Sequence, residues 1–197
     1  KKLLFLLLLI PLMSFGQTAE EYFNSGYDKA EAKDHYGAIS DFNKAIGLDP
    51  NYVDAYNNRG VSKHKLEDYY GAMRDYTKAI ELDPNDALAY YNRGYSKYDL
   101  KDFNGAISDY TKAIGLDPNY VDAYNNRGVL KDDLKDFNGA ISDYTKAIEL
   151  DPNDADAYYN RAVSKYYIND LKGACEDAKK SASLGNPFPK MIEAACN

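Results

Sequence analysis

The sequence predicts an all-α solenoid of stacked helical hairpins, and two observations lead to this prediction. The triplet Asp-Pro-Asn recurs every 34 residues, beginning at Asp49, Asp83, Asp117 and Asp151. Between successive triplets, apolar and small residues fall at helical spacing twice, and a short turn containing Asp separates the two stretches. A unit that repeats in this way packs mainly on its neighbours. The solenoid is therefore expected over residues 17–188, in units 19–52, 53–86, 87–120, 121–154 and a divergent 155–188.

The segment before the first unit, residues 1–16, is predicted to be a secretory signal peptide. Two lysines precede an apolar run over residues 3–12, which is too short to cross a bilayer as a helix. Ser14 and Gly16 supply small side chains before a cleavage site near Gly16-Gln17. We therefore expect an exported protein, periplasmic or extracellular, whose mature chain does not insert into a membrane. A permanent membrane anchor is the alternative reading.

Within a unit, the expected helix boundaries follow from a few residues. In the central unit, the first helix is predicted from about Leu88 to Leu100, and Asp102 starts the second because an Asp accepts hydrogen bonds from free backbone N–H groups there. Pro118 cannot continue the second helix. The other units carry an Asp at the same helix start: Asp34, Asp68, Asp136 and Asp170. One such hairpin is marginal alone, so stacking is required for stability.

These residues resemble the pattern of the tetratricopeptide repeat family. Places are counted here from the first residue of each unit. The family has small residues at places 8, 20 and 27, aromatic residues at places 4 and 24, and Pro at place 32. The central unit matches with Gly94, Ala106, Ala113, Tyr90, Tyr110 and Pro118. The resemblance implies a right-handed superhelix whose first helices line a concave groove.

Two places depart from the family pattern by carrying cations. Place 7 is Arg in the second to fifth units and place 11 is Lys in every unit, as in Arg93 and Lys97, and both are expected to point toward the packed side. Buried cations need partners, and an Asp recurs on every second helix, such as Asp109. We expect a structural ladder of these ions, although an ion or phosphate site is the alternative. Spacing does not decide whether Arg93 pairs with Asp109 or with Asp75 of the preceding unit.

The resemblance also implies the candidate peptide-binding residues, because the first helices line the groove. Place 6 is always Asn, and its amide offers hydrogen bonds to an extended peptide backbone. These asparagines are Asn24, Asn58, Asn92, Asn126 and Asn160, with aromatic walls at Tyr91, Tyr95, Tyr98, Tyr159 and Tyr166. Groove carboxylates are expected at Asp54, Asp99, Asp122, Asp132, Asp133 and Asp156. The expected ligand is an extended peptide with aromatic or basic side chains, unless the asparagines bond only to neighbouring helices.

The groove is also expected to repeat every two units. Residues 47–61 and 115–129 are identical, and Tyr91 and Tyr159 alternate with Asn57 and Asn125 at place 5. A ligand that meets the same chemistry twice would account for this pattern, and so would recent duplication.

The C-terminal end carries the only two cysteines, Cys175 and Cys196. The last unit drifts from the pattern, and residues 189–197 are expected to cap the stack. Export makes a disulfide between the two cysteines plausible, and two buried free thiols are the alternative.

Composition excludes several classes of function. A net charge of −7 without clustered Lys and Arg disfavours nucleic acid as a partner. His35 and His64 lie at no metal-ligand spacing, and no phosphate loop or catalytic nucleophile pattern is present, so we expect no enzyme, no metal and no cofactor. The leading prediction is a non-enzymatic scaffold or adaptor of the cell envelope that binds a peptide or protein segment. The alternative is an assembly element acting through the solenoid ends or convex face, and homo-oligomers remain open.

Overall fold

The computed structural model describes residues 17–196 and places ten α-helices in this range, two to each unit. They are α1 (Ala19–Glu31), α2 (His35–Leu48), α3 (Val53–Lys65), α4 (Tyr69–Leu82), α5 (Ala87–Asp99), α6 (Phe103–Leu116), α7 (Val121–Asp133), α8 (Phe137–Leu150), α9 (Ala155–Tyr167) and α10 (Leu171–Ser183). A 3₁₀ helix, Lys190–Cys196, follows them. The predicted all-α fold is confirmed, while the predicted signal peptide lies outside the described residues. No helix in residues 17–196 has the length and apolar character needed to cross a membrane.

Each second helix begins at the Asp that the sequence indicated. In the central unit, Asp102 is the N-cap, and its carboxylate accepts a 3.0 Å hydrogen bond from the backbone N–H of Gly105. A Cβ at residue 105 would lie 2.1 Å from Asp102 Oδ2, so the cap requires glycine at this place. The residue before the cap, Lys101, is left-handed with φ of 64°, which turns the chain sharply between the two helices.

Within a hairpin, a small residue on the first helix faces an aromatic ring on the second. A Cβ at Gly94 would lie 2.9 Å from Tyr110 Cε1, so the ring occupies the space that the missing side chain leaves. In the last unit both partners change together, to Ala162 and Ala178, which are fully buried. The glycine is therefore required by the ring that packs on it.

The stack curves with its first helices on the inside. The first helices contact one another across units, α1 with α3, α3 with α5 and α7 with α9. Successive second helices in the described residues approach less closely; α2, α4, α6 and α8 instead contact the first helix of the next unit. Since the inner side of a curved stack is the side on which neighbours are closest, the first helices line the concave groove.

The Arg, Lys and Asp residues form an ion network inside each hairpin. Arg93 binds the Asp109 carboxylate through Nε and Nη2, both at 2.8 Å, and Lys97 Nζ lies 2.7 Å from the same carboxylate. Arg93 Nη1 reaches Thr77 Oγ1 of the preceding unit at 3.3 Å. The carboxylate partner thus comes from the same unit, and a hydroxyl provides the link to the previous one. Units 2, 4 and 5 repeat the ion pairs with Arg59 and Asp75, Arg127 and Asp143, and Arg161 and Asp177. In unit 2 the link to the preceding unit is the amide oxygen of Asn43, which accepts from Arg59 Nη1 at 2.6 Å.

The first unit has Ser25 in place of the arginine, and its buried Asp41 is bound by other donors. Ser25 Oγ donates to Asp41 at 2.7 Å, and Lys29 and Lys44 both pair with this buried carboxylate. Burial alone would raise the pKa of Asp41, but the hydrogen bonds from Lys29, Lys44 and Ser25 hold it well below its usual value. The buried acid is therefore a fixed anion in the first unit as well.

The C-terminal segment closes the end of the stack. Ile192 of the 3₁₀ helix is fully buried against Ala162, Ala174 and Ala178, and Phe188 packs beside them. Cys175 of α10 and Cys196 form a disulfide with their Cα atoms 5.3 Å apart. The 3₁₀ helix is thus covalently held over the apolar end of the last hairpin.

Candidate peptide-binding groove

The five asparagines of place 6 lie on the first helices, and they fall into two groups. Asn58 Nδ2 donates to the Asp54 carbonyl one turn earlier at 2.8 Å, and Asn126 Nδ2 donates to the Tyr91 hydroxyl at 2.9 Å. Within residues 17–196, the other three make no side-chain hydrogen bond; they are Asn24, Asn92 and Asn160. Open amides therefore occur in every second unit, while the amides between them are already occupied.

Tyr91, expected as a wall of the groove, is instead held at the junction between the third and fourth units. Its ring stacks on Tyr120 with centroids 4.8 Å apart and lies 5.6 Å from the ring of Tyr110. Burial, assisted by the Asp122 carboxylate, raises the pKa of Tyr91 to about 12. Its hydroxyl group accepts the hydrogen bond from Asn126. Tyr91 is thus a neutral, partly buried link between units.

In the second and fourth units the residue at place 5 is Asn, and it makes a different contact with the next unit. Asn57 Nδ2 donates to Asp86, and Asn125 Nδ2 donates to Asp154 at 2.5 Å. Both acceptors are the N-caps of the next first helix, where their other oxygen accepts from the backbone. The alternation of Tyr and Asn along the sequence therefore corresponds to two alternating kinds of contact between units.

Tyr95 and Tyr98 line a pocket between the third and fourth units. Tyr95 is 42% exposed, Tyr98 is half-buried, and their rings are nearly parallel with centroids 6.5 Å apart. The pocket has a volume of about 220 Å³ and is completed by Tyr110, Asn126 and Val129. This is where the structure brings several predicted groove residues together.

His64 and Asp99 pair beside the pocket. The imidazole Nε2 lies 2.9 Å from Asp99 Oδ2, so the neutral ring donates its N–H to the carboxylate. The His64 ring also contacts Tyr69 and Tyr95, with centroids 5.0 and 5.1 Å away. Burial lowers the pKa of His64, although the hydrogen bond to Asp99 opposes the shift. His64 therefore connects the second and third units as a neutral donor.

Asp132 occupies, in the fourth unit, the place that Tyr98 has in the third. Its carboxylate accepts hydrogen bonds from Ser164 Oγ at 2.7 and 2.9 Å and from the Tyr144 hydroxyl at 2.9 Å. Burial raises the pKa of Asp132 despite these donors. This carboxylate is committed to contacts within the protein.

The edges of the groove carry negative charge. Four of the expected groove carboxylates are exposed on the first helices: Asp54, Asp122, Asp133 and Asp156. Within residues 17–196, no three His, Cys, Asp or Glu side chains form a group that could hold a metal ion. The groove surface thus carries amides, phenols and carboxylates.

Family profiles match most of the described residues. The profile described as tetratricopeptide repeat matches residues 53–86, 87–120 and 121–154. Two further profiles, TPR repeat and a second tetratricopeptide repeat, match residues 26–67 and 143–176. The chain belongs to the tetratricopeptide repeat family. Members of this family generally act as non-catalytic modules for protein interaction.

Solved structures of other tetratricopeptide repeat proteins share the fold. MamA is 27% identical with a TM-score of 0.76, over 81% of this chain and 93% of that chain. YrrB, described as a TPR protein with an unusual peptide-binding site, is 24% identical with a TM-score of 0.72, over 88% and 89%. PilF from Pseudomonas aeruginosa is 21% identical with a TM-score of 0.78, over 86% and 77%. A comparison with curated protein sequences gave no match.

Two residues that line the pocket between the third and fourth units, Tyr110 and Val129, are not among the predicted groove residues. Tyr110 matches the aromatic place 24 of the family pattern; its ring packs on Gly94 within the hairpin and also lines the pocket. Val129 lies one turn after Asn126 and forms the apolar wall. The sequence could have predicted Val129 as a groove residue, because it occupies in the fourth unit the place that Tyr95 occupies in the third.

The remaining predicted residues, Tyr159 and Tyr166, lie on α9 and do not join this pocket. Tyr166 packs against the cluster that the 3₁₀ helix covers and borders an open hollow with Leu171 and Met191. Tyr159 is half-buried in the same helix. The predicted aromatic walls are thus divided between the middle and the C-terminal end of the stack.

Proposed function

We propose that this protein is a non-enzymatic scaffold or adaptor of the cell envelope that binds an extended peptide or protein segment in its concave groove. The observation that carries the proposal is the set of open amides at Asn24, Asn92 and Asn160. An amide on a groove that makes no hydrogen bond within the described residues is available to a peptide backbone. The family's general role in protein interaction supports the same function.

The open and occupied asparagines provide the test and its matched control. Crosslinking in cells followed by mass spectrometry would identify the bound protein, and calorimetry with the captured peptide would measure its affinity. We expect Asn92→Ala to weaken binding about fivefold, because one backbone hydrogen bond is worth about 1 kcal/mol. Asn58→Ala makes the same change where the amide already bonds to Asp54, and it should leave affinity nearly unchanged. Equal affinities for Asn92→Ala and the unaltered protein, with folding intact, would contradict binding through the groove.

The second candidate function is an assembly element that acts through surfaces outside the groove. It is favoured by Tyr36 and Tyr70, which are 78% and 66% exposed at the starts of α2 and α4. Exposed aromatic rings are enriched in protein interfaces. If the protein is an assembly element, replacing both tyrosines with Ser should abolish assembly. If it binds a peptide in the groove, the same replacement should leave peptide affinity unchanged.

Location in the cell envelope rests on the predicted signal peptide and gains support from the disulfide. Disulfides persist in oxidising compartments, which suits the covalent link between Cys175 and Cys196. N-terminal sequencing of the protein isolated from cells should find Gln17 as the first residue. A mature protein that retains residues 1–16 would refute export by cleavage.

A further inference from the structure

The pocket between the third and fourth units has the size of a subsite for one side chain. Its volume is about 220 Å³, and its wall is formed by Tyr95, Tyr98, Tyr110, Asn126 and Val129. Pockets for drug-sized ligands begin at about 300 Å³. The pocket lies on the groove face of α5 and α7, so the side chain of a peptide in the groove would enter it directly.

Tyr110 leaves an unused hydroxyl group in this pocket. The residue is only 1% exposed, and its hydroxyl makes no hydrogen bond within residues 17–196. The equivalent Tyr144 donates to Asp132 at 2.9 Å. Tyr98 of the third unit occupies the place that Asp132 has in the fourth unit. Leu130 of the fourth unit occupies the place that Ser164 has in the fifth. A nearly buried hydroxyl that lacks a protein partner calls for one from the ligand.

The electrostatic surroundings favour a positively charged ligand group. Burial raises the pKa of Tyr110, and the nearby phenols of Tyr91 and Tyr95 and the carboxylate of Asp99 raise it further. Tyr110 is therefore neutral at physiological pH. Asp99 supplies negative charge beside the pocket, and Lys101 supplies a positive charge at the ring of Tyr98. The ring of Tyr98 already accepts a cation from the chain itself, since Lys101 Nζ lies 5.4 Å from its centroid.

We propose that this pocket holds the Lys or Arg side chain of the peptide that binds in the groove. The inference rests on the proposed function and specifies its ligand. The ammonium or guanidinium group would donate to the phenolic oxygens and contact the faces of the Tyr95 and Tyr98 rings. The aliphatic stem would pack on Val129, and Asp99 would supply the opposite charge. A neutral aliphatic or aromatic side chain would fill the same space but leave the Tyr110 hydroxyl without a partner.

The test uses pentapeptides of Ala and Ser with one variable central residue. The central residue is Lys, Arg, norleucine, Phe or Glu, and binding to the isotope-labelled protein is followed by NMR. Norleucine has the aliphatic stem of Lys without its charge. We expect the Lys and Arg peptides to bind about five- to tenfold more tightly than the norleucine peptide, with shifts at Tyr95, Tyr98 and Val129.

Two variants with matched controls assign the preference to the pocket. Asp99→Asn should remove most of the preference for Lys over norleucine, while Glu31→Gln, which removes a charge at the same place of the first unit, should retain it. Tyr110→Phe should weaken the Lys peptide, while Tyr76→Phe makes the same change in the equivalent ring of the second unit and should not.

Each other outcome overturns the assignment in a distinguishable way. If the norleucine or Phe peptide binds as tightly as the Lys peptide, the pocket is an apolar subsite and the groove function stands. If peptides shift other groove residues but not Tyr95, Tyr98 or Val129, the pocket is not a subsite. If no peptide shifts any groove residue, even at millimolar concentration, binding through the groove is itself refuted, and the pocket assignment falls with it.

Discussion

The ion network of the central hairpin makes Asp109 the residue whose removal should most clearly test the energetics of the stack. Its carboxylate is 5% exposed and accepts from Arg93 at two atoms and from Lys97 at a third. Replacement with Ala removes all three contacts. It also leaves both cations, which are 18% and 17% exposed, without a counter-ion.

The expected cost follows from this burial. Breaking a buried ion pair by removing one partner costs about 3–5 kcal/mol, because the remaining charge is desolvated without compensation. The two cations retain some access to water, which reduces the penalty. We therefore expect Asp109→Ala to lower the free energy of unfolding by about 2–4 kcal/mol. For a protein of this size, the melting temperature should fall by about 5–10 °C.

Urea denaturation followed by circular dichroism measures this loss, and Glu81→Ala is the matched control. Glu81 pairs with Lys78 at 3.3 Å, and the two side chains are 61% and 43% exposed. An exposed pair of this kind contributes at most about 1 kcal/mol. The two substitutions each delete one carboxylate, so their difference isolates the effect of burial.

A double-mutant cycle would test whether the stranded cation is the cause. In the background of Arg93→Met, Asp109→Ala should cost about 1 kcal/mol less, since one of the two cations is already gone. Strict additivity would refute this reasoning, and so would an Asp109→Ala variant that melts like the unaltered protein.

Two further predictions concern the C-terminal cap and the pH dependence of stability. Cys175→Ser should lower stability by about 3 kcal/mol, because the disulfide closes a loop across 21 residues, and melting with and without reductant should reproduce the difference; identical melting would contradict it. Burial lowers the pKa of His64 in the folded protein, so as the pH falls the unfolded chain, in which the pKa of His64 is about 6.5, takes up the proton first. Its stabilising contribution should be present above about pH 6.5 and lost as pH falls below it, and His64→Gln should flatten that part of a stability profile between pH 7.5 and 5.

The hairpins could be predicted from the sequence because their signals are local. Asp102 starts α6, and Pro118 lies beyond its end, just as the residues indicated. The partner of Arg93 could not be predicted, because Asp75 and Asp109 occupy the same place in successive units. The packing of α5 on α6 determines that Arg93 binds Asp109, while its Nη1 donates to Thr77 of the preceding unit.

The pocket could be predicted only in part, because it depends on residues from different units. Tyr95 and Tyr98 were expected in the groove from their places on the first helix. The contribution of Tyr110 to the pocket could not be predicted, because its helical spacing indicates packing within the hairpin and its ring does pack there. Its hydroxyl makes no hydrogen bond within residues 17–196, whereas the hydroxyl of Tyr144 donates to Asp132, whose place in the third unit is taken by Tyr98.

The alternation along the stack is explained by contacts between units before any ligand is considered. Phe23 packs on Tyr52 with ring centroids 4.9 Å apart, as Tyr91 does on Tyr120 at 4.8 Å. In the units between, Asn57 donates to Asp86, as Asn125 does to Asp154. In each pair the second partner precedes the next first helix, so a change of one partner alone would lose a contact.

Place 5 therefore needs no ligand to account for its two-unit period, and the same reasoning does not extend to place 6. Asn is present there in every unit, yet Asn58 and Asn126 have partners within the protein, while Asn24, Asn92 and Asn160 make no side-chain hydrogen bond in the described residues. Packing between units thus leaves these three amides unexplained. A bound backbone that accepts or donates once in every two units would explain them, and this is the spacing that a ligand of the groove should show.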